Sequence, residues 1–494
     1  MSERQHDGER NGLLASVHDL LDAAEPILRN PPGRVAELRD RLDGPLRVAI
    51  AGKVKAGKST LLNALVGEKV APTDASECTR IVTWYRNSHV HRVTAVPYVG
   101  VPEELPFRRT ERQFEIALDG RSAEELHYLE VEWPSDRLRE LILIDTPGLS
   151  SLSEDVSRRT ERFLSADEEG PGEADAVIYL MRHLHPMDLS FLEAFEDRIA
   201  TRGAAVNSIA VLSRADEIGA CRPNALGVAE RVAQRYRQDP RVQMHCQAVL
   251  PVAGLIAEAA ATLREDETVA LRTLAGLERG LSTDMLLSAE RFARFDDVAG
   301  LEVNMRRRLL DRLGLFGVRL AVELLISGRA TTAGDLSREL EARSGVGELR
   351  RILTGQFAAR AAVLKARSTL ASTLALAELH GGSDGRRIRE RVRDIQLSAH
   401  ELVEIRLLSR LRAGHVGLGD DEPIARRLLG DAGAEAHRRL GLPPSVNGEE
   451  VRDAAIAAIE HWRQAVDDPL LGKDGREVAE GVIRSAEAMA MIRS

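Results

Sequence analysis

The 494-residue chain reads as a doubly wound α/β domain with a mainly parallel sheet, set between helical segments. Three observations predict this. A glycine-containing loop, Gly52-Lys53-Val54-Lys55-Ala56-Gly57-Lys58-Ser59-Thr60, lies between an apolar strand and an amphipathic helix. Four further short apolar runs, at 81–85, 141–144, 176–180 and 208–212, are bounded by polar segments, as buried strands are. Beyond residue 281 such runs vanish and helical periodicity continues to the end.

Taken in order, residues 1–12 are polar, lack the apolar core of a signal peptide and read as a disordered tail. Residues 13–45 read as two helices: Leu13, Leu14, Val17, Leu20, Leu21 and Leu28 form one stripe, and Pro31-Pro32-Gly33 breaks the run. The α/β domain is assigned to 46–280. In it Leu46, Val48 and Ile50 alternate as a buried strand does, and Leu61, Leu62, Leu65 and Val66 recur at helical spacing up to a capping Gly67. Residues 281–494 form the helical region, punctuated at Ser327-Gly328, Gly381-Gly382, Gly417-Leu418-Gly419 and Pro443-Pro444.

Composition narrows the functional class. A chain of this length exceeds one core, and 3% aromatics suit long Leu/Ala/Arg/Glu helices. A net charge of −9 argues against a nucleic-acid partner. Cys78, Cys221 and Cys246 have no framework spacing, which points to a reducing, cytoplasmic compartment. The densest apolar run, 313–326, is interrupted by Arg319 and Glu323 and is too short to cross a bilayer of about 30 Å. Membrane contact, if any, is therefore expected to be peripheral.

The loop at 52–59 has the G-x-x-x-x-G-K-[ST] form. Gly52, Ala56 and Gly57 leave room for backbone N–H groups to curl around a β-phosphate, and the following helix adds its N-terminal partial charge, with Thr60 on its first turn. Lys58 is expected to bridge the β- and γ-phosphates, and the Ser59 hydroxyl to ligate Mg²⁺. Lysine is concentrated here: besides Lys53, Lys55 and Lys58 the chain has only Lys69, Lys365 and Lys473.

A second motif, Asp145-Thr146-Pro147-Gly148, ends a strand as D-x-x-G does where the aspartate holds Mg²⁺ through water and the glycine N–H senses the γ-phosphate. After the next core strand, Ser213-Arg214-Ala215-Asp216 occupies the place of the [NT]-K-x-D base reader. There Asp216 would accept from guanine N1–H and N2–H₂, and Arg214 would stack on the base. The last base-contacting loop is placed at Pro251-Val252-Ala253-Gly254, with Ala253 as its contact. Thr79 is chosen over Thr73 and Thr83 as the switch threonine closing over Mg²⁺ and the γ-phosphate.

With these residues the chain resembles the bacterial dynamin-like GTPases, specifically the actinobacterial isoniazid-inducible members. The resemblance rests on AGKVKAGKSTLLNALVG, APTDASECTRIVTWYR, DTPGLSS and SRADEIGA, and extends into PVAGLIAEAA and RSAEAM. It implies a P-loop GTPase domain on one discontinuous helical neck and trunk built from segments on both sides of it. It also implies GTP hydrolysis to GDP and phosphate, remodelling of the cytoplasmic membrane from its inner face, a nucleotide-dependent homodimer through the GTPase domain, and a sibling protein as partner. Leu149 stands where small GTPases carry a water-orienting glutamine. Lys55 is accordingly the candidate for the charge needed between the β- and γ-phosphates. The arginines at 386, 387, 389, 391, 393, 406, 410 and 412 are the candidate contact with anionic headgroups. Two other readings compete: a GTP-dependent ribosome or tRNA assembly factor, which would need an RNA-binding appendage, and a nucleotide-gated scaffold with little turnover.

Overall fold

The computed structural model describes residues 3–30, 32–72, 80–109, 114–148, 174–197, 207–219, 221–295, 300–412, 414 and 416–491. Its organising element is a sheet of nine strands. In chain order these are β1 (Leu46–Gly52), β2 (Thr83–Asn87), β3 (Arg92–Pro97), β4 (Glu103–Glu104), β7 (Leu126–Trp133), β8 (Leu141–Asp145), β9 (Ala176–Met181), β10 (Ser208–Ser213) and β11 (Ala248–Val252); β5 (Phe107–Arg109) and β6 (Phe114–Ile116) pair separately. The spatial order is β11-β10-β9-β1-β8-β2-β7-β3-β4. From β11 to β8 every pairing is parallel, and β2 runs antiparallel to β8.

The stretch from β2 to β8 differs from the expected alternation of strands and helices. It is a mixed, all-strand extension of the sheet in which β2 pairs parallel with β7, and β3 pairs antiparallel with both β7 and β4. Past β2, the strand β3 alternates polar with buried residues, Val93 and Ala95, so it forms no continuous apolar run.

Strand pleating sends alternate residues to opposite faces, and two cores result. Val48, Ile50, Ile178, Leu180, Ile209 and Val211 face one core, with the helices Glu3–Ala24, Arg34–Asp43, Lys58–Val66, Ala361–His380, Gly382–Ser398, His400–Arg412, Gly448–Val466 and Lys473–Ala490. Ala49, Ala51, Val177, Tyr179, Ala210 and Leu212 face the other, with Ala225–Arg237, Glu265–Ala275, Val303–Ile326 and Ala333–Ser344. The N-terminal helices thus join those beyond residue 346 in one discontinuous bundle.

Two expected boundaries move. The first helix begins at Glu3, inside the expected tail of 1–12, because Glu, Arg and Gln extend a helix without an apolar stripe to announce it. The core of the α/β domain also runs past 280. Helices Val303–Ile326 and Ala333–Ser344 pack on the sheet through Gly254–Ala261, and the chain changes face at Gly345, beside β11. Their apolar stripes look alike whether they face a sheet or another helix.

The sheet and bundle are pinned together by Asp175, just before β9. Its Oδ1 accepts from Arg41 Nε at 3.0 Å, Arg41 Nη2 at 2.8 Å and the Ser368 hydroxyl at 2.5 Å, and Oδ2 accepts from the Arg47 N–H at 2.9 Å. Arg41 belongs to the second helix and Ser368 to Ala361–His380, and both Arg41 and Asp175 are buried. Burial alone would raise the Asp175 pKa, but Arg41, Ser368 and the Arg47 amide outweigh it and hold it below the ordinary carboxylate range. A depressed pKa contributes stability at neutral pH that is lost as the pH falls through the folded value. Asp175→Ala removes the buried carboxylate that Arg41, Ser368 and the Arg47 amide share, and is expected to lower unfolding stability by about 3–5 kcal/mol in denaturant titration at pH 7. The deficit should shrink under strongly acid conditions.

Candidate nucleotide site

The phosphate loop lies at the C-terminal end of β1, where ligands bind in open parallel sheets. Helix Lys58–Val66 starts immediately after it, at Gly57. Lys58 Nζ donates back to the carbonyls of Gly52 at 3.2 Å and Lys53 at 3.4 Å, which aims the ammonium across the loop. Burial lowers its pKa, against the opposing pull of Asp145. The Ser59 hydroxyl donates to Asp145 Oδ2 at 2.8 Å, so the two expected Mg²⁺-side residues meet. Asp145 Oδ1 is buried with no hydrogen-bond partner among the described residues, and burial raises its pKa. A buried, unpartnered carboxylate oxygen beside a hydroxyl fits a hard divalent cation. Gly148 abuts the loop: a β-carbon there would come within 2.5 Å of Val54 Cγ2, so the turn approaches only as glycine.

The base side forms a cavity of about 140 Å³ walled by Ala56, Gly57 and Thr60 on the phosphate side and by Ser213, Arg214 and Asp216 on the other. Arg214, in left-handed backbone conformation, donates to the Lys55 carbonyl at 3.0 Å and to Glu217 at 2.8 Å, and so ties this loop to the phosphate loop. Ser213 replaces the usual Asn or Thr and donates to the Met181 carbonyl at 3.2 Å, which joins the ends of β9 and β10. Asp216 is 6% exposed. Burial pushes its pKa up to about 6; Glu217 reinforces the rise, while its own backbone N–H and Arg214 oppose it.

Ala253 does not take its expected place. It is fully buried and its N–H donates to the Ser344 carbonyl at 2.8 Å, so Val252, Gly254 and Leu255 form the cavity wall instead. Lys55 is exposed at the loop crest with φ of 62°. Thr79 and Leu149 lie outside the described residues. A larger cleft of about 710 Å³ beyond β11, lined by Leu226, Val249 and Ile352, meets the predicted motifs only at Ala215 and Pro251 and the basic stretch at Arg412, and holds no phosphate-loop residue.

Several positioning groups escaped sequence reading. Lys53 Nζ pairs at 3.1 Å with Asp188, a carboxylate also held by the Tyr179 hydroxyl at 2.8 Å and the His185 N–H at 2.9 Å. Asn63 accepts from the N–H groups of Val70 and Ala71, fastening the chain that leaves the phosphate-loop helix. Arg350 donates at 2.5 Å to the Ala64 carbonyl near that helix's C-terminal end, where positive charge complements the dipole. The Pro186-x-Asp188 start of a helix was the one local signal available.

Of the basic stretch, Arg406 and Arg410 pair with Glu477 at 3.3 and 2.6 Å, and buried Arg412 donates to Asp431 at 3.1 Å. Arg389 donates to the Ala377 carbonyl. The basic face expected over 386–412 therefore shrinks to Arg386, Arg387, Arg391 and Arg393, all exposed. Among the described residues no helix is long and apolar enough to cross a membrane.

The sheet order, the phosphate loop and the D-x-x-G turn against it define a P-loop nucleotide-binding domain of the GTPase class. The dynamin family pattern matches residues 48–214. Isoniazid-induced protein IniC of Mycobacterium tuberculosis is 41% identical over 451 residues, 91% of this chain and 90% of that one. The chain belongs to the bacterial dynamin-like proteins of the IniC type. A bacterial dynamin-like protein of Nostoc punctiforme is 31% identical over 221 residues, 40% of this chain and 30% of its own length. A solved oligomerised bacterial dynamin pair, described as a mechanism for long-range sensing and tethering of membranes, aligns over 99% of this chain and 76% of its own. Its identity of 13% and TM-score of 0.29 carry no argument.

With Asp216 as the expected guanine reader in its ionised form, nucleotide affinity is expected to fall as the pH drops through about 6, approaching tenfold per unit below it. Calorimetric GDP titration from pH 8 to 5 measures this. Asp216→Asn should remove the pH step.

Proposed function

We propose that this dynamin-family protein hydrolyses GTP and couples the reaction to movement of its helical bundle at the inner face of the cytoplasmic membrane. The observation that carries the nucleotide part is the cavity shared by Gly57, Thr60 and Asp216, which lets one ligand meet the phosphate loop and a base-reading carboxylate together. The triphosphate lies along the loop, with Lys58 on its β- and γ-oxygens and the backbone amides around the β-phosphate. Ser59, and Asp145 through water, would hold Mg²⁺, which would supply positive charge to the phosphate oxygens; Thr79 is the further candidate ligand. Asp216 accepts from guanine N1–H and N2–H₂, and Arg214 covers the base.

Charge developing on the leaving oxygen needs a cation, and Leu149 cannot orient water. Lys55 fills this role as a finger that swings inward when two GTPase domains meet across their nucleotide faces. Membrane contact is peripheral. It draws on Arg386, Arg387, Arg391 and Arg393, which lie on a helix of the bundle and whose attraction to anionic headgroups amounts to about 1 kcal/mol each. A sibling dynamin-like protein is a further candidate partner.

GTP turnover with and without anionic liposomes tests the whole reading: liposomes should raise the rate in wild type, and Lys58→Ala should abolish nucleotide binding. Turnover that ignores liposomes, alongside intact GTP binding, would favour a scaffold. Lys55→Ala is expected to slow single-turnover hydrolysis at least about tenfold, roughly 1.4 kcal/mol of barrier, with affinity little changed. A wild-type rate in that variant, with or without potassium, would remove Lys55 from the mechanism.

A further inference from the structure

The helix Val303–Ile326 is broken at one residue: Gly314 has φ 67° and ψ 171°, far from helical values. The break faces the base-reading loops. A β-carbon on Gly314 would lie 3.5 Å from Leu255 Cδ2 and 3.8 Å from Asp216 Oδ2, and both residues wall the base cavity. One turn on, a β-carbon on Gly317 would meet Ile256 Cγ1 at 3.3 Å. Arg319 then donates to the Cys221 carbonyl at 2.7 Å, at the far end of the loop that carries Asp216. Leu313, Phe316 and Val318 are buried beside these contacts. Gly314, Gly317 and Arg319, outside the nucleotide-binding motifs, thus lie against both segments that surround the base.

We propose that residues 313–319 are a strap that sets the position of the guanine-reading loops, and that Gly314 is a positioning residue for Asp216. The inference rests on the assignment of Asp216 as the guanine reader. A β-carbon at Gly314 would fit against Leu255 and Asp216 without a clash, so what demands glycine is the positive φ of the break, a conformation that L side chains rarely adopt. The break keeps the carboxylate free to turn toward N1–H and N2–H₂ while the flanking turns hold the loop. By linkage, a base held by Asp216 must in turn stabilise the break, so occupancy of the base cavity reaches a long helix on the face of the sheet opposite the bundle directly.

The test compares GDP with IDP, which lacks the 2-amino group, and with magnesium pyrophosphate, which lacks the base. Gly314→Ala and Arg319→Ala are expected to weaken GDP binding by about tenfold and IDP binding less, so that the GDP:IDP preference moves toward one; Arg319→Lys should recover part of it. In wild type, GDP should slow amide hydrogen exchange across residues 313–319, and magnesium pyrophosphate at saturation should not. This second arm needs no variant to fold. An unchanged GDP:IDP ratio in folded variants, or equal protection by GDP and pyrophosphate, would overturn the strap. Failure of the underlying reading looks different: ADP would compete as well as GDP, and Asp216→Asn would gain no affinity for xanthosine diphosphate.

Discussion

One buried carboxylate holds the architecture together. Asp175 sits just before β9 and is shared by Arg41 from the N-terminal helices, Ser368 from the bundle helix Ala361–His380 and the Arg47 amide of β1. An isolated buried carboxylate is prohibitively expensive, so all three partners must arrive together. Lys365 adds a bond from the same helix to the Gly44 carbonyl at 2.8 Å, and Asn207 donates to the Asp175 carbonyl. The beginnings of β1 and β9 and the opening of β10 are therefore fastened to the bundle, while their opposite ends carry the nucleotide site.

That polarity explains why a dynamin-family chain places helices on both faces of one sheet. The ends of β1, β8, β9 and β10 are linked by Ser59 with Asp145, Lys53 with Asp188, and Ser213 with the Met181 carbonyl. The phosphate-loop helix is held at its other end by Arg350, from beyond the point where the chain changes face. A shift of that helix on phosphate binding would be felt by the bundle through Arg350 on one face and through the strap at Gly314 on the other. Rigid coupling of this kind, rather than a flexible linker, is what a nucleotide-driven movement of helices requires.

The chemistry of the site was legible where it is contiguous. The residues from Gly52 to Ser59, Asp145 to Gly148, and Asp216 each sit beside a strand whose apolar run announces it, and the structure brings them together. Asp175, Asp188 and Asn63 are ordinary polar residues in sequence; their partners lie far along the chain or depend on tertiary contact. Ala253 failed as a base contact because its amide is claimed by Ser344, 91 positions on. The strands beyond β2 escaped notice because alternate polar positions in β3 dilute its apolar signal. The Arg406–Arg412 segment looked basic only while its carboxylates, Glu477 and Asp431, were out of view.

If both cores close on a single sheet, the bundle should not unfold ahead of the nucleotide domain. The chain has three tryptophans: Trp84 in the core on one face, Trp133 at the end of β7, and Trp462 in the bundle core on the other. Two variants, each keeping only Trp84 or only Trp462, report these regions separately by fluorescence during urea unfolding. Coincident midpoints are the expected result, since both probes follow one cooperative structure. A Trp462 transition complete before Trp84 begins to change would show a bundle that stands apart from the sheet, and would contradict the account.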